Sequence, residues 1–413
     1  MPQTVKVVFP PGLSEITALE VNAILQSLWF PQKYQSEIII EKNSLRIEPI
    51  HLFAATEILM RSQCSTDVRL VLWEGKTFGK SVFVRKCKEV DWDMFLNKSM
   101  TIRIKVNSVA SRAFHETGLK EILSDIVGDK VNNIVTGEEE ATTTLYADLH
   151  NDRLSLSLSL AGDALYRRGY RGVLSASAPL REDAAAACLR QGLQFARSQR
   201  PDFIPDTAFI PFVGTGTFLF EMLIEEYQLS PVLFGREYAL QKMPFFREEN
   251  FQYLLKKAGE YRCSVVDKPM KYVCLDNSKS ANSAFLENLQ IFQQRISVKL
   301  LQEDVLVYDD FFTVDLIEMF AKAKQVFMPL NPPYGMRLGR QQDSVLFYKN
   351  IAKRLNEIAN LLMNHQGCLA GFILCPTEEA WRGFTSVLKG FKIDTFHFMQ
   401  GGVDVRVCGF VSG

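Results

Sequence analysis

The chain of 413 residues lacks the features of several specialised classes of protein. No segment approaches the roughly 18 consecutive apolar residues that a membrane-spanning helix needs. The N-terminal residues MPQTVKVVFPPG contain no apolar run that ends in a cleavage site. Internal repeats and low-complexity tracts are also missing. We therefore expect a cytoplasmic protein with no export signal and no membrane anchor.

The cysteines and histidines show no spacing typical of a disulfide scaffold or a metal site. The eight cysteines are scattered singly, with no Cys-x-x-Cys pair, and the chain is far longer than a disulfide-rich scaffold. The five histidines have neither catalytic-triad nor metal-ligand spacing. We expect reduced, buried thiols and no bound metal. Because the formal net charge is zero, contact with a polyanion must come from local clusters of basic residues.

Length and residue pattern predict an α/β protein of two or three domains. The chain has 47% hydrophobic and 23% charged residues, which is ordinary for a globular protein. Residues 1–60 alternate strand-like and helix-like pieces, which indicates a small α+β unit. Residues 61–155 continue this pattern, and His150-Asn151-Asp152 predicts a turn between two strands.

Beyond about residue 175, buried strands alternate with helices. Near-continuous apolar strands of this kind are typical of a parallel sheet covered on both faces. The predicted parallel strands are AFIPFV, KYVCLD, SVKLLQED, KQVFMPLN and GCLAGFIL. The last two strand-like stretches, KIDTFHFMQ and VDVRVCGFV, meet at Gly401-Gly402, which favours a hairpin added to the sheet.

A glycine turn follows a strand in the stretch FIPFVGTGTFLFE, residues 209–221. Gly214 and Gly216 have no Cβ, and the free N–H groups of a helix that begins near Thr217 face the same place, so a ligand could approach closely. The dinucleotide fingerprint does not fit, because its third glycine would fall at Leu219. A tight turn without a ligand is the other interpretation.

Two acidic residues end predicted parallel strands. Asp276, after KYVCL, can accept both hydroxyls of a ribose or can cap the next helix, and the sequence leaves both interpretations open. Asp304 ends SVKLLQED and is either a ligand at the same edge or a solvated loop acid. Because ligands of open α/β sheets bind beyond the carboxyl ends of the strands, we expect the glycine turn, Asp276 and Asp304 to line one crevice.

The stretch MPLNPPYGMRLG, residues 328–339, predicts a rigid corner after a further strand. Pro332 restricts Asn331 to an extended conformation, so the Asn side chain and the nearby carbonyls are held in place. Acceptance of both N–H hydrogens of an exocyclic amino group, by the Asn331 side-chain oxygen and the Pro332 carbonyl, would turn the nitrogen lone pair toward an electrophile. Tyr334 would stack on the base. A structural Pro-Pro turn is the alternative.

Asn331 to Gly339, NPPYGMRLG, resembles the signature of class I S-adenosylmethionine-dependent methyltransferases that act on amino groups. Its extended form is similar to the THUMP-domain branch that makes N2-methylguanosine in RNA, and above all to the bacterial large-subunit ribosomal RNA guanine-N2 methyltransferases. Further segments that resemble this branch are LYRRGYR, SAPLREDAAAACL, GREYALQKMPFF and QGGVDVRV. The resemblance covers nearly the whole chain.

The resemblance implies S-adenosyl-L-methionine as cofactor and a Rossmann-like methyltransferase domain over residues 165–413. This domain would follow a ferredoxin-like part, residues 1–60, and a THUMP-like RNA-binding domain, residues 61–155. One departure lies at the glycine turn, where the family usually has Asp-Pro-Phe and this chain has Ile210-Pro211-Phe212. The exchange removes a polar group near the methionine portion of the cofactor.

Basic residues suggest where RNA would be held. KTFGKSVFVRKCK, residues 76–88, has five basic residues and no acid, with phenylalanines interleaved. It either follows phosphates or forms a solvated face, since Glu89, Asp91 and Asp93 come directly after it. A second cluster begins at Arg167, and Arg337 is a further phosphate contact or a salt-bridge partner.

The predicted site residues fall into three groups. The catalytic residues are Asn331, Pro332, Pro333 and Tyr334. The cofactor-binding residues are Ala178, Pro179, Leu180, Pro211, Gly214, Gly216, Thr217, Asp276, Asp304 and Asn331. The RNA-binding residues are Lys76, Lys80, Arg85, Lys86, Lys88, Arg167, Arg168, Arg171 and Arg337.

The sequence thus predicts methyl transfer to the exocyclic N2 amino group of a guanosine, most plausibly in 23S ribosomal RNA. Adenine-N6 methylation of DNA or RNA is an alternative, because the same motif serves both amino groups. Guanine-N2 methylation of transfer RNA is another. Ile210 motivates a fourth alternative, a non-catalytic RNA-binding protein of ribosome assembly.

Overall fold

The chain folds into two compact units in a computed structural model. The structure describes residues 3–33, 35–77, 79–109, 116–137, 139–173, 180–262, 269–302, 305–333 and 341–413. Unit 1 consists of Met1–Phe9, Thr17–Arg167 and Gly235–Glu260, and unit 2 consists of Pro10–Ile16, Arg168–Phe234 and Tyr261–Gly413. Residues 235–260, which the sequence analysis assigned to the C-terminal domain, fold with unit 1. The predicted domain boundaries otherwise stay predictions.

The regular elements follow one another in the order that the residue pattern suggests. The strands are β1 Gln3–Val8, β2 Glu37–Ile40, β3 Ser44–Ile50, β4 Asp67–Lys76, β5 Thr101–Val109, β6 Asn133–Val135, β7 Thr143–His150, β8 Arg153–Ser159, β9 Thr207–Pro211, β10 Lys271–Leu275, β11 Leu306–Val307, β12 Gln325–Leu330, β13 Cys368–Cys375, β14 Phe391–Gln400 and β15 Val403–Ser412. The helices are α1 Ser14–Gln26, α2 Leu52–Arg61, α3 Lys80–Lys88, α4 Glu116–Val127, α5 Glu182–Gln199, α6 Thr217–Glu226, α7 Glu248–Tyr261, α8 Lys279–Ile296, α9 Leu316–Phe320, α10 Gln341–Met363 and α11 Glu378–Thr385.

Unit 1 is built on one eight-stranded sheet with the order β2-β3-β1-β4-β8-β7-β5-β6. Its first half has the sequence β1-α1-β2-β3-α2-β4 with antiparallel neighbours, which is the ferredoxin-like arrangement. Val5 and Val7 are fully buried and alternate with half-exposed neighbours, so one face of β1 points into the core.

The second half of the unit 1 sheet closes with a tight hairpin. β7 and β8 pair antiparallel up to His150 and Arg153. The two residues between them, Asn151 and Asp152, have φ values of 49° and 58°, the left-handed conformation that a type I′ turn requires. The turn predicted from these residues is confirmed.

Unit 2 is built on a seven-stranded sheet with the order β11-β10-β9-β12-β13-β15-β14. The strands from β11 to β13 are parallel, and β15 and β14 are antiparallel neighbours at one end. Gly401 and Gly402, with φ values of 57° and 82°, connect β14 to β15. The predicted Rossmann-like sheet with a C-terminal antiparallel hairpin is confirmed.

Helices cover both faces of this sheet. Val326 and Met328 of β12 belong to a buried cluster with residues of α9, α10 and α11. Phe327, between them, points to the opposite face, where a Cβ at Gly192 of α5 would lie 2.6 Å from the Phe372 ring and 3.4 Å from the Phe327 ring. The apolar strands therefore pack against helices on two sides, as the pattern predicts.

The third parallel strand differs from its prediction. SVKLLQED, residues 297–304, was expected to form it, but β11 is Leu306–Val307. Ser297 ends α8 in the left-handed conformation, and Val298 and Leu301 donate their N–H groups to the carbonyl and side-chain oxygens of Gln293. Because the helix end claims these backbone groups, pairing with β10 begins only at Leu306.

Candidate active site

The candidate site lies at the carboxyl edge of the unit 2 sheet, beyond the neighbouring strands β9 and β12. The ladder pairing of these two strands ends at Val326 with Thr207 and Phe327 with Ala208. Pro211 and Pro329, which have no N–H group to donate, lie in the stretch that follows. The strand order reverses between β9 and β12, and ligands of open α/β sheets bind beyond the carboxyl ends of the strands at such a point.

The glycine turn after β9 is tied directly to Asp276. The backbone N–H of Gly214 donates to Oδ2 of Asp276 at 2.9 Å, and the N–H of Ser278 donates to Oδ1 at 2.9 Å. Ser278, not Asp276, is the N-cap of α8. The helix-cap interpretation of Asp276 is therefore wrong, and its contact with a ribose stays a prediction.

The two glycines of the turn, Gly214 and Gly216, lack a side chain for different structural reasons. Gly214 has a φ of 56°, and among the described residues a Cβ there would meet nothing closer than the Phe212 carbonyl oxygen at 4.0 Å. Gly216 has a φ of 91°, and a Cβ there would lie 2.6 Å from the Phe220 ring. Gly216 thus permits packing within the protein, whereas no described residue fills the space beside Gly214.

Asn331 follows β12 with an unsatisfied side-chain acceptor. Its Oδ1 atom is buried and has no hydrogen-bond partner in the part of the chain that the structure describes. Pro332 is buried and Pro333 half-buried, which fits a fixed corner. Because a buried oxygen without a partner costs about 1–3 kcal/mol, Asn331 holds an acceptor ready for a donor that comes from a ligand. Tyr334 and Arg337 lie outside the described residues.

Arg171 connects two helix starts in unit 2. Its Nη2 donates to the Leu180 carbonyl at 2.8 Å and to Oγ1 of Thr217 at 3.2 Å, and its Nε donates to Glu182 at 2.5 Å. Its Nη1 is buried without a hydrogen-bond partner among the described residues. These contacts hold Arg171 beside Leu180 and Thr217, and its predicted contact with RNA stays a prediction. Ala178 and Pro179 lie outside the described residues.

Asn288 of α8, which the sequence did not single out as a site residue, holds two segments of unit 2 together. Its Nδ2 donates to the Thr215 carbonyl at 2.9 Å, and its Oδ1 accepts from the Gly172 N–H at 2.7 Å. The residue is fully buried. An amide on an otherwise apolar helix face, beside Leu289 and Phe292, is the sequence pattern that indicates such a role.

The position of Arg168 contradicts the RNA contact that was predicted for it. It is fully buried and lies 3.3 Å from Glu221, which is also fully buried and accepts a hydrogen bond from the Tyr170 hydroxyl. Burial raises the pKa of Tyr170 well above its usual value, so its hydroxyl stays protonated. A phosphate cannot reach Arg168. Arg167 is exposed, and its RNA contact stays a prediction.

The basic stretch at residues 76–88 is divided between two elements. Lys76 ends β4, and the other four basic residues lie on α3, where Lys80, Arg85 and Lys88 are exposed. Phe83 is fully buried, so it belongs to the core and not to a surface that stacks bases. Lys86 pairs with Glu89 at 2.6 Å, as the solvated-face interpretation expects. RNA binding by this stretch stays a prediction.

The acid at the end of the third strand also differs from the prediction. Asp304 precedes β11 in the chain and lies outside the described residues. Asp310, which follows β11, accepts a hydrogen bond from Asn277 Nδ2 at 2.8 Å. Because Asn277 follows Asp276 directly, this hydrogen bond places Asp310 near the same edge.

The cysteines that the structure describes are all buried and free of disulfides. Burial raises the pKa of Cys87 and of Cys408 to about 12, so these thiols stay protonated. Within the described ranges, no group of three or more His, Cys, Asp or Glu side chains is arranged to hold a metal ion. Nor does any helix of those ranges have the length and apolar character needed to cross a membrane.

Comparison with known proteins agrees with this geometry. Residues 168–405 match the family UPF0020, described as RMKL-like, methyltransferase domain. The chain is 25% identical over 288 residues to slr0064 of Synechocystis sp., which covers 68% of this chain and 69% of that protein. It is 25% identical over 370 residues to the ribosomal RNA large subunit methyltransferase K/L of Acinetobacter baumannii, covering 87% of this chain but 44% of that protein. The chain thus spans less than half the length of the K/L relative.

Among solved structures, the crystal structure of SMU.472 complexed with SAH aligns with a TM-score of 0.75 at 17% identity, over 100% of this chain and 99% of that one. The sheet order and this alignment define a class I methyltransferase fold. The match over more than half of the chain goes further, and the protein belongs to the RMKL-like methyltransferase-domain family. The predicted cofactor, S-adenosylmethionine, is the one that this family uses.

Replacement of Arg168 by Met should destabilise the protein by about 3–5 kcal/mol, because it leaves Glu221 buried without its cation. Denaturation by urea would measure the loss. The control is Arg167→Met, which removes an exposed arginine and should change the free energy of unfolding by less than about 0.5 kcal/mol. Equal stability of the two variants would show that the buried pair is not structural.

Replacement of Asp276 by Asn should weaken binding of S-adenosylhomocysteine at least about tenfold, because the amide keeps only one of the two carboxylate acceptors and no charge. Calorimetry measures this affinity directly. Asp394→Asn, an exposed residue of β14, serves as the control and should bind as the unchanged protein does. Unchanged affinity in Asp276→Asn would exclude a role for this carboxylate in the cofactor site.

Proposed function

We propose that the protein is an RNA methyltransferase that transfers a methyl group from S-adenosylmethionine to the exocyclic N2 amino group of a guanosine, in 23S ribosomal RNA. The observation that carries this proposal is the buried Oδ1 of Asn331, which has no hydrogen-bond partner among the described residues and comes directly after β12 at the carboxyl edge of the sheet. The family and the name of the K/L relative support methylation of RNA.

The residues at the crevice fit the cofactor. Asp276 is fixed by two backbone N–H groups and offers its remaining lone pairs to ribose hydroxyls. The open space beside Gly214 admits a ligand near the start of α6. Nη1 of Arg171, buried without a partner next to Thr217, can donate to the carboxylate of the methionine portion.

The cofactor would supply an electrophilic methyl group on a sulfonium. Asn331 would accept one N–H of the substrate amino group at Oδ1, and the Pro332 carbonyl would accept the other. With both N–H bonds held out of the ring plane, the nitrogen becomes pyramidal, and its lone pair, no longer delocalised into the ring, points to the electrophile. As the N–C bond forms, the C–S bond would break and its electron pair would stay on the sulfur, which leaves as a thioether. The methylated nitrogen is acidic, so its proton can leave to water and no strong general base is required.

Unit 1 would hold the RNA. Its ferredoxin-like first half and the exposed basic residues Lys80, Arg85 and Lys88 of α3 support a THUMP-like role, in which phosphates are contacted without sequence preference. Affinity of this kind falls as the salt concentration rises.

Ile210 supports one rival, a protein that binds RNA without catalysis. It lies in β9 with 1% of its surface exposed, so the acid that the family usually has at this position is replaced by a core residue. Arg171 and Asp276 nevertheless leave polar groups for the cofactor, which favours the enzyme. Failure to bind S-adenosylhomocysteine at millimolar concentration would favour the rival.

Nucleoside mass analysis of ribosomal and transfer RNA from a deletion strain tests the substrate. We expect one N2-methylguanosine to disappear from 23S ribosomal RNA and to return when the gene is restored. Loss of N6-methyladenosine with intact N2-methylguanosine would rule out the proposed base. Loss of N2-methylguanosine only from transfer RNA would rule out the proposed RNA.

Replacement of Asn331 by Ala should lower kcat by about 10²- to 10³-fold, the usual effect of removing one preorganised hydrogen-bonding group from an active site. Affinity for S-adenosylhomocysteine should change less than about threefold, since Asn331 acts mainly on the substrate. Asn331→Asp is the matched variant, because it keeps an acceptor at the same place, and it should retain more activity than Asn331→Ala. An Ala variant with full turnover would contradict the mechanism.

A further inference from the structure

A cavity lies within unit 1. It has a volume of about 270 Å³ and is bounded by the start of α2 and by residues 240–254. Four phenylalanine rings line it, those of Phe53, Phe245, Phe246 and Phe251. Pockets for drug-sized ligands begin at roughly 300 Å³, so this cavity suits a smaller group such as one planar base.

The charge of the wall is compatible with an anionic ligand. None of the described residues that line the cavity is an Asp or Glu, although the chain has as many acidic as basic residues. Arg247 lies at its rim, is exposed, and donates only to the neighbouring Phe246 carbonyl at 3.1 Å among the described residues. A guanidinium without a carboxylate partner is suited to a phosphate.

Polar groups of the wall can read the edge of a base. Nδ1 of His51 accepts the Phe53 N–H at 3.2 Å, so the ring proton lies on Nε2. The His51 ring also stacks on Phe53, with centroids 5.7 Å apart. Burial lowers the pKa of His51, which keeps the ring neutral near pH 7. The amides of Gln3 and Asn250 add donors and acceptors at the same cavity.

We propose that this cavity binds one unpaired nucleotide of the RNA substrate, with the base among the phenylalanine rings and the adjoining phosphate on Arg247. The inference deepens the proposed function and rests on RNA being the substrate. Aromatic side chains beside a cation are the combination with which proteins hold unstacked bases. Because Arg247 and Asn250 are exposed at the rim, the ribose-phosphate chain can continue to either side of the bound nucleotide.

The phosphate contact is tested by fluorescence anisotropy of the full-length protein with a labelled single-stranded RNA of mixed sequence. Arg247→Gln should weaken binding about tenfold and reduce the slope of log affinity against log salt by about one. Lys256→Gln is the matched control, because it removes the same charge from the same α7 region while its side chain is 77% exposed and does not line the cavity. The control should bind within about twofold of the unchanged protein.

The stacking contact is tested by Phe246→Ala and Phe246→Trp. The Ala variant should lose about tenfold in RNA affinity, and the Trp variant should restore it, because a larger ring stacks at least as well. Equal melting temperatures of the two variants would show that the fold is kept. Ultraviolet crosslinking of RNA that contains 5-bromouridine, followed by mass spectrometry, should map a crosslink to residues 245–251.

The inference is overturned if the RNA affinity of Arg247→Gln equals that of Lys256→Gln, or if the crosslinks map only outside the cavity. Binding of free 5′-AMP by a protein that shows no measurable binding of the RNA would also overturn the inference, since the ligand would then be a free nucleotide. Methylation of ribosomal RNA by the unchanged protein is measured in parallel. If the unchanged protein does not methylate ribosomal RNA, the proposed function is contradicted. If it does, and Arg247→Gln and Phe246→Ala bind RNA as the unchanged protein does, only the nucleotide site is contradicted.

Discussion

The position of β9 and β12 as neighbours, at the point where the strand order of the unit 2 sheet reverses, is the constraint on which the candidate site depends. Ladder pairing between these central strands ends at Ala208 and Phe327, because Pro211 and Pro329 cannot donate ladder hydrogen bonds in the stretch that follows. The turn at Gly214 and the side chain of Asn331 follow these two strands at the carboxyl edge, where ligands of open α/β sheets bind. Under the proposed function both would face one ligand.

Hydrogen bonds fix the groups that follow these strands. Asp276 accepts the Gly214 N–H of the turn, and Asn288 donates to the Thr215 carbonyl. Arg171 joins Leu180 to Thr217, and its buried Nη1 has no hydrogen-bond partner in the described part of the chain. The candidate site therefore combines satisfied groups that give rigidity with buried groups, at Arg171 and Asn331, for which the proposed function supplies ligand partners.

Local pattern was sufficient for most of the fold. Apolar strands that alternate with helices, together with the glycines at 401 and 402, predicted the parallel sheet and its hairpin, because these features depend on residues close in the chain. The predicted position of the third strand was wrong, since the N–H groups of Val298 and Leu301 donate to Gln293 at the end of α8. An alternating pattern does not reveal that a preceding helix will use the same residues in its cap.

Features that depend on distant partners could not be predicted. A cluster of arginines has the same sequence pattern whether it is exposed or buried. Glu221, which pairs with Arg168, is 53 positions away in the chain. The cavity of unit 1 joins His51 and Phe53 to residues around 246, which are far apart in sequence. Asn331 differs, because the proline after it restricts its backbone locally, and the sequence alone therefore predicted a fixed corner directly after a strand, where the structure has the end of β12.

The central claim is that Asn331 accepts a hydrogen of the substrate amino group. A crystal structure of the protein with S-adenosylhomocysteine and a guanosine-containing RNA tests it most directly. The account predicts the guanine N2 atom within about 2.7–3.2 Å of Asn331 Oδ1. A guanine bound in the crevice with its N2 atom beyond hydrogen-bonding distance, or with Oδ1 occupied by another protein donor, would contradict it.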